Sequence, residues 1–81
     1  DSSALPARQR IARYLLSYPA ERDGSPISCT HEEIGQAVGV TRVTVSRVLG
    51  ELSREGLVEL GYRSVALLDR DGLRKLMESE V

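Results

Sequence analysis

Three residues, Gly39-Val40-Thr41, are all that separate two segments that each carry their own helix signals. Upstream, "THEE" at Thr30 to Glu33 is a capping box, in which the threonine hydroxyl accepts from the third helical N–H and Glu33 reaches back to the cap. The spacing then turns Ile34, Ala37 and Val38 inward, and Gly39 suits the left-handed residue that stops a helix. Downstream, Thr41 is an N-cap for a longer helix running to about Glu55, closed by Gly56. At about 100° per residue its Val45, Val48, Leu49 and Leu52 form one apolar stripe. A short helix, a three-residue turn containing glycine and a longer helix with a polar outer face make a helix-turn-helix over about residues 30–55.

The remainder of the chain supplies a scaffold for that unit. Pro6 is a favoured first helical residue, and the i, i+4 pairs Ile11/Leu15 and Ala12/Leu16 carry a first helix to about Ser17, before Pro19. "PAERDGSP" reads as a surface loop and "ISC" as a short strand leading out of it. "LVEL" and "SVALL", joined by "GYR", read as a hairpin over about residues 57–68. Asp69 caps a last amphipathic helix bearing Leu73, Leu76 and Met77. The predicted class is α+β, mainly α: a single winged helix-turn-helix over residues 1–81, with a three-helix core, a short strand, a β-hairpin wing and a C-terminal helix. That pattern points to double-stranded DNA, with protein docking as the alternative use of such a module.

A net charge of −1 is a poor match for a polyanion, but the distribution is uneven. No acid occurs from Ser2 to Ala20, which holds Arg8, Arg10 and Arg13, nor from Ile34 to Gly50, which holds Arg42 and Arg47. No apolar run approaches the roughly 18 residues of a membrane span, no signal-peptide pattern is present, and the single cysteine fits a reduced, cytoplasmic setting, where a DNA binder would associate with the nucleoid. The start at Asp1 suggests a piece of a longer protein. Cys29 and His31 are too few for a zinc site, so no metal is expected, and a buried structural cysteine is the favoured reading. No nucleophile and base pair, carboxylate pair or phosphate-cradling loop is recognisable, so no enzyme is expected. Tyr14, Tyr18 and Tyr62 are read as packing residues with wet hydroxyls.

The outer face of the longer helix poses the sharper question. Val43 lies roughly 160° from Val45, beside Ser46, Arg47 and Gly50 and next to Arg42. An exposed valine usually carries no meaning, and Arg47 has Glu51 at i+4 as a partner. Against that, arginine offers a donor fork matching guanine O6 and N7, and valine offers methyl groups to thymine. The first-turn N–H groups at Thr30 to Glu32 and at Thr41 to Val43 are suited to phosphates.

The run "THEEIGQAVGVTRVTVSRVLGELSREGLVEL" resembles the DNA-binding domain of the Crp/Fnr family of bacterial transcription regulators, through its T-R-x-T-V-S-R-x-L core and the following E-G-L. The resemblance implies base contacts by Arg42, Val43 and Arg47, with Ser46 beside them. It implies phosphate contacts by Thr41 and Thr44, by His31 next to the capping Thr30, and by Arg63 in the wing. Val43 departs from the glutamate common in the family, and "R-V-T-V" is similar to the cyanobacterial global nitrogen regulators, which implies half-sites of the GTA type. The family further implies a homodimer on a palindromic operator, recognition helices about 34 Å apart, and an upstream sensor domain and dimerisation helix. It also implies a contact with RNA polymerase through the loop from Pro19 to Ser25. No cofactor is expected in this domain, any effector belonging to the sensor, and no membrane partner is expected.

Overall fold

The computed structural model describes residues 7–19 and 24–78. Its elements are α1 (Ala7–Leu16), β1 (Pro26–Ser28), α2 (His31–Val38), α3 (Arg42–Arg54), β2 (Val58–Gly61), β3 (Ser64–Leu67) and α4 (Arg70–Glu78). The expected first helical residue Pro6 and residues 20–23 of the expected loop lie outside the described residues. The fold is the predicted winged helix-turn-helix, with the three strands in one antiparallel sheet, ordered β1-β3-β2. None of the described helices is long and apolar enough to cross a membrane.

Apolar spacing places the core. Ile11 and Leu15 of α1, Ile34 of α2, the four-residue stripe of α3, Val58, Val65 and Leu67 of the sheet and Leu73 of α4 are all buried in one cluster. α1 packs against α2, α3 and α4, and α3 packs against α1, α2 and β2, which joins the helices to the sheet. Burying a Leu- or Ile-sized side chain contributes about 1.5–3 kcal/mol, and these residues dominate the folding free energy.

Three expectations need correction. The inward residue on α2 beside Ile34 is Gly35, whereas Ala37 is exposed. On the helical wheel Ile34, Val38 and Gly35 span one arc, and the returning chain at Val40 and Thr41 covers its Gly35 side; Ala37 lies past the opposite edge. The first strand runs over Pro26–Ser28 and not "ISC". Ser28 pairs with Ser64, where β3 begins, so Cys29 faces the hairpin turn and donates its N–H to the Arg63 carbonyl at 3.1 Å. Tyr62 packs against nothing in the core: it is 90% exposed at the hairpin tip. A side chain in a two-residue turn beyond Gly61 projects away from the sheet's buried face.

Polar ties lock the helices. Arg8 of α1 binds Glu51 at 2.9 Å and Glu55 at 3.0 Å, both at the end of α3. Arg10 donates to the carbonyl of Val38, at the C-terminus of α2. Arg70 donates to the Leu16 and Tyr18 carbonyls at the end of α1. A guanidinium satisfies carbonyls that a helix end leaves without partners and favours the negative end of its dipole. Part of the acid-free N-terminal stretch is therefore structural.

A β-carbon on residue 35 would sit 2.7 Å from the Val40 carbonyl oxygen. Gly35→Ala is expected to cost about 1–3 kcal/mol in urea unfolding, because main chain must move. Gly39→Ala, at a φ of 81°, is expected to cost about 1 kcal/mol. The Arg8 hydrogen bond, with Arg47 adding, holds the Glu51 carboxyl below its ordinary value, so Glu51 stabilises the fold above that value and the contribution fades as pH falls through the lowered one. Unfolding of Glu51→Gln against the parent across pH 3 to 7 should show a gap that is constant near neutrality and closes in acid.

Candidate nucleic-acid interface

Capping chemistry sets where both helices of the motif begin. Thr30 accepts from the Glu33 N–H at 3.1 Å, and Glu33 accepts from the Thr30 N–H at 2.9 Å. Thr30's own N–H is thus spent, and the first-turn N–H groups of His31 and Glu32 are those that a helix start leaves for an external acceptor. Thr41 caps α3 in the same way, accepting from the Thr44 N–H at 3.1 Å while donating its hydroxyl proton to Thr44 Oγ1 at 3.0 Å. Gly39, in the left-handed conformation, returns its N–H to the Gly35 carbonyl and ends α2 in time for that cap.

From this start α3 buries Val45, Val48, Leu49 and Leu52 completely and turns Arg42, Val43, Ser46 and Arg47 outward. Val43 is 78% exposed, a β-branched hydrocarbon in water beside two guanidinium-bearing side chains. Arg47 contacts Glu51 at 3.1 Å, yet its side chain keeps 60% of its surface exposed. Glu51 gives its other carboxylate oxygen to Arg8, which leaves the carboxylate shared and held toward α1.

Beside this face lies a cleft of about 540 Å³ whose walls are the start of α2, the start of α3 and the wing tip. Thr30, His31, Arg42, Ser46, Tyr62 and Arg63 line it. The structure therefore gathers five of the sequence-predicted site residues into one concavity. Val43 and Arg47 stay outside it on the exposed face of α3, and Thr41 and Thr44 pair with each other at the turn. His31 Nδ1 lies 2.8 Å from Ser46 Oγ, a link between the two helices that periodicity alone does not reveal.

The wing tip is tied to the residue that follows β1. Arg63 adopts a left-handed φ of 53°, uncommon for a residue with a side chain, and its carbonyl accepts from Cys29. Its guanidinium lies 6.0 Å from the centroid of the Tyr62 ring. Tyr62 is the residue that sequence reasoning misplaced, and its position at the centre of "GYR" was the signal for a tip residue. Cys29 is 2% exposed, and burial pushes its thiol up, away from the thiolate that would react or bind metal. Chemically, the face offers forked donors, methyl groups, a hydroxyl and an imidazole, which suit a ridge of phosphates and base edges.

Residues 9–76 match the Crp-like helix-turn-helix domain. The chain is 47% identical to the transcriptional regulator SdrP of Thermus thermophilus, the match covering 89% of this chain and 39% of that protein. It is 36% identical to the transcriptional regulatory protein btr of Bordetella pertussis, over 95% of this chain and 35% of that one. A crystal structure of a CRP/FNR-family transcriptional regulator from Thermus thermophilus superposes with a TM-score of 0.83 at 39% identity, covering 94% of this chain and 42% of the other. The chain thus spans about two fifths of the length of these Thermus relatives. With the match extending from α1 through the wing into α4, the chain belongs to the Crp-like helix-turn-helix family of Crp/Fnr transcriptional regulators.

Proposed function

We propose that this domain binds double-stranded DNA sequence-specifically, with α3 in the major groove. Its setting in this reading is the cytoplasmic output end of a homodimeric regulator acting on a palindromic operator. The observation that carries the reading is Val43, 78% exposed between Arg42 and Arg47 and left uncovered by the described residues. Such a group gains by losing its water against a thymine methyl. Arg42 and Arg47 are the guanine-reading forks, and Ser46 is a short polar contact between them.

Energetic comparison favours release of Arg47 to the duplex. An exposed i, i+4 pair is weak and screened by salt, whereas a bidentate arginine–guanine contact discriminates by about 1–3 kcal/mol. His31 and Arg63, across the cleft from Ser46 and Arg42, hold phosphates, as do Thr30, Thr41 and Thr44 through hydroxyls or the adjoining helix N-termini. In a longer chain the effector site and dimerisation helix lie upstream, and the loop from Pro19 to Ser25 is the candidate contact with RNA polymerase. The printed names of the relatives, transcriptional regulators, support this setting.

Fluorescence anisotropy with a GTA half-site duplex and a scrambled one separates DNA binding from protein docking. Affinity should fall steeply with salt for both duplexes, with the half-site bound more tightly. Arg47→Ala should lose about tenfold or more on the half-site and much less on the scrambled duplex. Arg63→Ala should weaken both alike and reduce the salt slope by about 1. Val43→Ala should change unfolding stability by less than about 0.5 kcal/mol while eroding the preference for thymine, and Val43→Glu should move that preference to cytosine. Salt-independent or absent duplex binding would favour a protein partner for the same face.

A further inference from the structure

His31 opens α2 and Ser46 stands on the outer face of α3, one turn after Arg42, yet the imidazole Nδ1 and the serine Oγ lie 2.8 Å apart. A hydroxyl has one proton, and its destination decides what the serine can show a base. When the imidazole is neutral with its proton on Nε2, the Ser46 O–H donates to Nδ1, and Oγ has only lone pairs left for an outside partner. It then accepts from the amino group of cytosine or adenine. When the ring is protonated, Nδ1–H donates to Oγ and the serine proton is freed. Ser46 then donates to guanine O6 or N7 or to thymine O4.

We propose that His31 is a positioning residue for base readout, its protonation state setting whether Ser46 presents a donor or an acceptor to the duplex. The proposal rests on the reading of α3 as the helix in the groove. A phosphate in the cleft needs a donor, so Nε2 carries its proton in both states and Nδ1 is the nitrogen that changes. The groups sharing the cleft with His31 are Glu32 from its own helix, Arg42 from α3, Tyr62 and Arg63 from the wing, and Cys29 from the link after β1.

The test is anisotropy on the 81-residue chain at constant ionic strength, at about pH 5.5 and about pH 8, the range over which imidazole charge changes. The duplex set carries all four base pairs at each half-site position. At one position the parent should shift by about fivefold from cytosine toward guanine or thymine on acidification, the size of one hydrogen bond. Ser46→Ala and His31→Gln should each abolish that difference between the two pH values, whatever either costs in overall affinity. A parent whose preferences are the same at both pH values, or Ser46→Ala retaining the shift, overturns the proposal and leaves the DNA reading intact. Loss of duplex discrimination at every position in the parent overturns both. Imidazole nitrogen shifts of the DNA-bound chain at the higher pH give an independent check: an unprotonated Nδ1 supports the proposal and a protonated one overturns it.

Discussion

The main chain at Val40 lies against α2 where residue 35 has no side chain, and the geometry of the interface descends from that contact. The Gly35 carbonyl accepts the N–H of Gly39 at 2.8 Å and of Val40 at 3.0 Å, so the turn closes onto the helix it has just left. Val45 Cγ2 lies 3.5 Å from the position a Gly35 β-carbon would take, which seats the first buried residue of α3 on the same spot. Once Val45 is inside, the 3.6-residue period puts Val43 outside. The exposed valine is therefore a consequence of how α3 is rotated, and the rotation is set by a glycine eight residues upstream.

Charge placement follows the same hierarchy. Arg8 draws Glu51 and Glu55 toward α1, and Arg10 and Arg70 close helix ends. Those cations are unavailable as a general basic surface, which explains how a near-neutral chain keeps a concentrated donor face. Arg42 and Arg47 stay outward on the N-terminal half of α3, with Arg63 across the cleft and Arg54 exposed in the last turn of the helix. In the proposed complex that donor set would supply discrimination at base edges, and helix starts and the wing would meet the phosphates. The two intervals without acid differ in use: Arg8 and Arg10 of the first tie helices together, whereas Arg42 and Arg47 of the second face outward.

Local rules made much of this legible in the sequence. The capping box, the Gly39 stop, the Thr41 cap and the four-residue stripe of α3 depend on residues within one or two turns of each other, so periodicity and capping chemistry locate them. Contacts between distant segments were not legible. Nothing in "EEIGQAV" tells Gly35 from Ala37 until the path of the next turn is known. The strand shift from "ISC" to Pro26–Ser28 depends on where β3 begins, and the pairs His31–Ser46 and Arg8–Glu51 join residues 15 and 43 positions apart. Tyr62 was misjudged because aromatic residues are usually packed, and only its place in a two-residue turn overrides that tendency.

An amide chemical-shift titration of the chain at low salt, with a duplex carrying a GTA half-site and a scrambled control, tests the central claim most directly. Shifts centred on Thr41 to Gly50, with satellites at His31 and Arg63 and a larger response to the half-site, are the predicted result. An α3 unmoved by either duplex up to millimolar concentration would contradict the account and leave Val43 as a contact for another protein.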